Sequence, residues 1–292
     1  MSGIELGNIC LPPRRYRIDV HIDSFETADY SRNEDQTRCR GISEVLRTCP
    51  HLYPREMKAL LKKLSAKRIG RVPVSLASSL YYRRIRIRIL GNLYRTSYES
   101  PYRLVTTIHL IPRGWDFTLE ELMSVNPNGL LATLRSDLNQ HGARDADGYF
   151  AAFIHGELDL TNERYQLHVH ALSADGMIDV VERLKGTAKY ASGGEPGRLS
   201  VYRRHVVSAK PLANMPHPLT YLLKSFWNWS LVLEKHAHYS RCKINSRMPE
   251  PFHSIYLLWL DRWKAGDISL LMGMRVGKAG FILTKTPKSL HL

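Results

Sequence analysis

The order of hydrophobic patterns predicts an α+β protein built on a ferredoxin/RRM-like β-α-β-β-α-β unit, with helical extensions before and after it. Three observations predict it. A β-branched run spans Tyr102 to Pro112; two alternating runs, GYFAAFIHGELDL and RYQLHVHALS, meet at a short turn near Thr161 and Asn162; and RLSVYRRHVVSAK supplies a fourth strand. Helical patterns fill the two longer gaps between them. Such a unit forms a four-stranded antiparallel sheet that carries helices on one face and leaves the other open for a ligand.

Element by element, residues 1–50 are polar and irregular and read as an extension without a defined pattern. From Tyr53 to Lys67, Met57, Leu60, Leu61 and Leu64 recur at the spacing of an amphipathic helix. Next, Arg84, Arg86 and Arg88 alternate with Ile85, Ile87 and Ile89. As a strand this would set three guanidinium groups about 7 Å apart on one face, a spacing suited to a phosphate backbone. Residues 51–100 therefore read as a basic DNA-binding extension, and Arg203 and Arg204 in the fourth strand are further DNA-binding candidates. Thr118 to Gln140 reads as helical with a break at Asn126–Gly129, and Met177 to Lys185 as a second helix. His217 to Lys235 reads as one strong helix with Pro218 in its first turn, closing a unit over residues 101–235. Residues 236–292 form a further extension: a helix with Ile255, Leu258 and Trp259 on one side, then a glycine-bearing basic tail.

Composition narrows the class of partner. With 292 residues and 43% hydrophobic content the chain can bury a sizeable core, which excludes disorder throughout. Its 42 Lys and Arg against 27 Asp and Glu give a net charge of +15, which favours a polyanion such as nucleic acid. Cys10, Cys39, Cys49 and Cys242 form no C-x-x-C pair, so a reducing, cytoplasmic setting is expected. Neither a signal peptide nor an apolar run of spanning length is expected, and so no membrane partner.

Two motifs carry chemistry. His168 and His170 flank Val169 in a strand, so both imidazoles project from one face about 7 Å apart, where they can ligate one divalent cation. Pairing about the turn sets position 155 opposite 168 and position 157 opposite 166, which brings Glu157 and, alternatively, His155 to that face as third ligand. On the helix expected over 217–235, Tyr221 and Lys224 both lie away from the apolar stripe of Leu219, Leu222, Leu223 and Phe226. A phenol can attack phosphorus, and the ammonium beside it can favour tyrosinate or hold the phosphate. Tyr190, in the loop-like AKYASGG, is a second candidate nucleophile, and Trp227 and Trp229 suit either base stacking or a core. His236 and His238 fall at a helix end where i and i+2 share no face. Gly273 to Gly280 lacks the spacing and the Ser or Thr of a phosphate loop, and Cys39, Cys49 and His51 lack a fourth zinc ligand.

With LVTTIHLIP as a first hydrophobic motif, LHVHAL as a metal motif and YLLK as a nucleophile motif, residues 102–235 resemble the HUH endonucleases. The likeness is to the single-tyrosine rolling-circle replication initiators of plasmids and phages, and to related transposases. It implies Mg²⁺ or Mn²⁺ at His168 and His170, with Glu157 or His155 as the additional ligand, and nicking of one DNA strand through a 5′-phosphotyrosine on Tyr221. It also implies a bacterial, mobile-element setting, a single-stranded or hairpin origin as substrate, and a host helicase and polymerase as partners. The alternative is a non-catalytic RRM-like nucleic-acid-binding protein, although no strand carries the aromatic-rich pattern on which such modules stack bases.

Overall fold

A computed structural model describes residues 5–65, 72–102, 104–184, 186–190, 202–207, 216–235, 238–244 and 246–284. Among the described residues before Ser100, the regular structure is helical. Two 3-10 turns, Leu6–Asn8 and Arg14–Tyr16, precede α1 (Asp19–Asp23), α2 (Ala28–Thr48), α3 (Pro54–Ser65) and α4 (Ser79–Glu99). The sheet and its helices follow: β1 (Val105–Leu110), β2 (Asp116–Phe117), α5 (Leu119–Leu122), α6 (Pro127–Gln140), β3 (Phe150–Asp159), β4 (Arg164–Ala174), α7 (Gly176–Leu184) and β5 (Tyr202–Val207). A 3-10 turn at His217–Tyr221 leads to β6 (Asn228–Lys235), β7 (His238–Ile244), α8 (Phe252–Asp261), β8 (Ser269–Met272), β9 (Met274–Gly277) and β10 (Gly280–Leu283).

The α+β class is as expected. The main sheet runs β5-β1-β4-β3-β6-β7, with β2 added to β4 and β8 to β3. β1, β4 and β3 pair antiparallel, and the register sets His155 opposite His168 and Glu157 opposite Gln166, as the turn position requires. The break between the two helices before β3 spans 123–126, a little ahead of the expected Asn126–Gly129, because Pro127 and Gly129 are taken into the first turn of α6. Thr118 and Glu121 form a capping box on α5, and Asn126 caps α6 ahead of Pro127.

Four expectations are corrected. Residues 5–50, expected to be irregular, hold a 21-residue helix, α2, whose cap, Thr27, accepts a bond from the Tyr30 amide. Its buried side is Ser31, Arg38, Ile42 and Val45, a stripe that hydropathy alone does not reveal because carboxylates satisfy half of it, Glu26 accepting from Ser31 and Glu34 pairing with Arg38. Arg84, Arg86 and Arg88 lie on a helix rather than a strand. Tyr82, Arg86, Ile89 and Leu93 make its buried stripe, Ser78 caps it, and Asp35 accepts bonds from Ser78 Oγ and from the Ser79 and Leu80 amides. The helix expected over 217–235 stops after one 3-10 turn, because the β-forming run Asn228–Lys235 pairs in parallel with β3 and antiparallel with β7. The C-terminal extension is also not a tail: β8 joins the main sheet along the first half of β3, and β9 and β10 form a hairpin.

The helices of the first hundred residues are held by buried charge. Arg86 is ion-paired to Glu26, the two side chains being 1% and 2% exposed. Arg38, 2% exposed, meets Glu34 at 3.1 Å and donates to the carbonyl oxygens of Ala77 at 2.8 Å and Ser225 at 3.3 Å. Glu34 pairs in turn with Arg247. α8 is buried along Phe252–Leu260 and packs against α2, α3 and α5, as a helix apolar on all sides must. No helix among the described residues is long and apolar enough to cross a membrane.

Removing one partner of the Arg86–Glu26 pair strands a buried charge. Arg86→Met alone is expected to lower unfolding free energy in urea by about 3–5 kcal/mol, and Arg86→Met with Glu26→Leu to recover most of it. Burial raises the Glu34 pKa, but Arg38 and Arg247 together outweigh burial and leave it below 4.5. Its stabilising increment is therefore complete above the unfolded value and vanishes as pH falls through the depressed one. Urea titrations should show the gap between wild type and Glu34→Gln shrinking as pH drops from about 7 toward 3.

Candidate metal centre

Three strands converge on one cluster of imidazoles. His109 of β1 is in register with His170 of β4, and His155 of β3 with His168 of β4; residues opposite each other across antiparallel strands share a face. The ring centroids of His109 lie 4.4 Å from His168 and 4.5 Å from His170, and those of His168 and His170 are 5.0 Å apart. One ring nitrogen from each of His109, His168 and His170 falls within 4.8 Å of the others, which suits ligation of a single cation. Among the described residues this is the group that meets that condition.

The hydrogen bonds of these rings select their ligand atoms. Nδ1 of His170 donates to the Tyr221 carbonyl, and Nδ1 of His168 donates at 3.3 Å to the Gln166 carbonyl. Each bond leaves the lone pair on Nε2, the arrangement that orients metal-ligating histidines. Burial, then the neighbouring imidazoles, pulls the His168 pKa well below 6.5, so the ring stays neutral and able to ligate. His155 is held neutral in the same direction by burial, then by His170 and Lys224.

His155 has a different task. Its ring stacks on His170 at 4.4 Å, and its Nε2 sits 3.0 Å from the Leu222 carbonyl oxygen and 3.1 Å from the Lys224 amide nitrogen. One nitrogen serves one of those partners at a time, and either bond pins the 222–224 loop to β3. Neither His155 nor Glu157 belongs to the cluster of ligand atoms; Glu157 is 2% exposed, opposite Gln166 and Asn228 in the rows beside it. His109 supplies the third nitrogen of the cluster instead. It stands within LVTTIHLIP, and pairing of the first strand with the third in the expected β-α-β-β-α-β order would have brought it beside His170.

Tyr221, at the end of the 3-10 turn, and Lys224, in the loop after it, lie next to the cluster instead of on one helix face. Tyr221 is 53% exposed and accepts the His170 bond through its own carbonyl oxygen. Its ring meets His217 at 5.6 Å, and the half-buried Lys224 ammonium lies 5.8 Å from the Tyr221 ring centroid. The two predicted residues are thus brought together, beside the predicted histidine pair.

Other candidates fall elsewhere. Tyr190 is buried, its hydroxyl donating to Asp137 at 2.7 Å, with a pKa raised by burial and then by that carboxylate. Trp227 is a core residue against Tyr256 and Trp259, and half-buried Trp229 bonds Ser246. Arg86 is committed to Glu26, whereas Arg84 is exposed and Arg88 half-buried on the same helix. Arg203 and Arg204 stand in register with His109 and Ile108, and their side chains lie outside the described residues, as does His236. Comparison with known protein families, with characterised proteins and with solved structures finds no match.

The ligand assignment is testable by calorimetry with Mn²⁺. His109→Ala is expected to weaken binding by at least about tenfold, as His168→Ala does, while Glu157→Gln retains it. Full affinity in His109→Ala would restore a two-histidine site.

Proposed function

We propose that the protein is a metal-dependent, single-strand DNA endonuclease and strand transferase that acts through a 5′-phosphotyrosine on Tyr221. The observation that carries this reading is the union of its two motifs: the carbonyl of Tyr221 accepts the bond that orients His170. A tyrosine and a histidine cluster, far apart in sequence, are joined by one contact, with a lysine ammonium beside the phenol. The strand order β5-β1-β4-β3, with helices between β1 and β3 and between β4 and β5, supports the split β-α-β unit expected of such enzymes.

The donor set suits a borderline transition ion. Three imidazoles are softer than the oxygens that Mg²⁺ prefers, which favours Mn²⁺ of the two ions the resemblance implies. Bound at His109, His168 and His170, the cation would supply Lewis-acid polarisation of the scissile phosphate. The protein's own residues do the rest. A free phenol has a pKa of about 10, so attack near neutral pH requires loss of its proton and close alignment. The 222–224 loop, held by His155, sets the position of Tyr221, and Lys224 offsets negative charge developing on the phenol oxygen and the phosphate. The phenol oxygen bonds to phosphorus as the bond to the 3′ oxygen breaks, which leaves a free 3′-hydroxyl and a 5′-phosphotyrosine. Reversal by a 3′-hydroxyl rejoins strands without a nucleotide cofactor. That reversibility suits initiation of rolling-circle replication; a single-tyrosine transposase would use the same step.

The test uses Mn²⁺ and single-stranded DNA from the region surrounding the protein's own gene. A covalent adduct on denaturing gels, mapped to Tyr221 by peptide mass spectrometry and lost in Tyr221→Phe, is the expected result. Lys224→Ala should slow its formation by roughly 10²-fold, the scale of one removed electrostatic donor. An adduct that persists in Tyr221→Phe overturns the assignment. DNA binding with no adduct under any of these conditions returns the non-catalytic binding module.

A further inference from the structure

A second cationic feature lies apart from the histidine cluster. Where α4 passes the N-terminal segments there is a groove of about 660 Å³, lined among others by Arg17, Asp19, Asp23, Arg83, Arg84 and Arg88. Its two acids are already matched: Asp19 pairs with Arg17, and Asp23 with Arg83. Two arginines are left over. Arg84 is exposed and has no hydrogen bond or ion pair among the described residues, and half-buried Arg88 donates at 3.1 Å to the Gly7 carbonyl. Four residues apart on one helix, they present guanidinium groups on one face, separated by about 6 Å of helix rise.

The wall opposite adds charge of the same sign. Thr27 and Ala28, the cap and first residue of the 21-residue α2, also line the groove, so the positive end of that helix dipole faces it. We infer that this groove binds the sugar-phosphate backbone of DNA, with Arg84 and Arg88 taking successive phosphates. The inference rests on DNA being the substrate of the nicking site, and it supplies that site with a separate handhold. Arg38 links Ala77, just before α4, to Ser225 in the loop that follows Lys224. α4 also packs against the His217–Tyr221 turn, so the helix that carries Arg84 and Arg88 is in contact with the segment that carries Tyr221.

This picture differs from an arginine-faced strand in its members and in its reach. Arg86, between the two, points into the core and pairs with Glu26, so it takes no part. Contacts of this kind read no base and confer affinity that falls steeply with salt.

The experiment removes both metal and covalent chemistry, so that its outcome is independent of the nicking reaction. Fluorescence anisotropy of a labelled oligothymidylate of about 30 nucleotides is measured in EDTA with the Tyr221→Phe protein, over roughly 50 to 200 mM NaCl. Arg84→Ala with Arg88→Ala is expected to weaken binding about tenfold and to reduce the slope of log Kd against log salt by roughly 1 to 2. Arg84→Ala alone, which breaks no hydrogen bond or ion pair among the described residues, should give about half of the slope change. The comparison pair is Arg40→Ala with Arg47→Ala on the exposed side of α2, toward its C-terminal end. Unchanged affinity in the Arg84 and Arg88 variants, or an equal loss in the α2 pair, overturns the site. So does a greater dependence on Arg84 and Arg88 for anionic phospholipid vesicles than for the oligonucleotide. Adduct formation by the wild-type protein, read separately with Mn²⁺, reports on the nicking reading alone.

Discussion

The bond from His170 Nδ1 to the Tyr221 carbonyl is the contact on which the rest of the site depends. It has two consequences at once. By engaging Nδ1–H it leaves the lone pair on Nε2, free for a cation. By taking a carbonyl oxygen of the loop it also decides where the phenol-bearing residue stands. His155 repeats the device one row along the sheet, stacked on His170 and bonded to the 222–224 backbone. Any shift of β4 relative to this loop would disturb the histidine cluster and the tyrosine together, so ligation and nucleophile position are coupled through main-chain atoms.

The N-terminal helices extend the same constraint outward. Arg38 spans three elements with one guanidinium, meeting Glu34 on its own helix, Ala77 before α4 and Ser225 after the loop. Buried ion pairs of this kind add little net stability compared with apolar residues of equal volume. Their value is geometric, because the fork of Arg38 is satisfied only when α2, the start of α4 and the loop are in one arrangement. Asp35 lies next to Glu34 in sequence yet is driven the other way. Burial dominates and raises its pKa, despite Arg38 and the Ser78 and Ser79 bonds, whereas Glu34 has two arginines and is lowered. One carboxylate closes the ion network and its neighbour caps the next helix.

Much of the sheet was legible in the sequence, and most of the helical half was not. β3 and β4 announce themselves through alternation on either side of a tight turn, and because strand register follows from turn position, the opposition of 155 to 168 follows as well. The pairing of β1 with β4 is non-local, and no single segment reveals it, so His109 stayed hidden among the β-branched residues of its strand. Arg84 to Ile89 illustrates the reverse difficulty. Strict alternation over six residues is the period of a strand, yet the segment is helical because Tyr82, Arg86, Ile89 and Leu93 make a longer stripe whose polar member is neutralised by Glu26, some sixty positions away. Local periodicity loses wherever a distant charge makes a polar side chain fit for burial. Tyr221 and Lys224 were selected for chemistry that a loop can deliver as well as a helix, so their proximity survived the wrong secondary structure.

The edge of β3 explains how a loop reaches the histidines at all. Its first half pairs antiparallel with β8 and its second half in parallel with β6, so the edge passes from one partner to another around residues 154–156. The chain enters at that gap, from His217–Tyr221 beside His170 to Trp227 at the start of β6. Gly156 makes the passage feasible: a Cβ there would lie 2.2 Å from the Trp227 ring, so only a residue without a side chain lets the indole rest on the strand backbone. Trp227 is then gripped by Tyr256 and Trp259 of α8, with ring centroids 4.2 Å and 5.7 Å away. The tyrosine loop is therefore anchored in the core at its far end and tied to the imidazoles at its near end. A segment held at both ends can remain irregular between them, which leaves the Tyr221 side chain half exposed while its carbonyl oxygen stays bonded to His170.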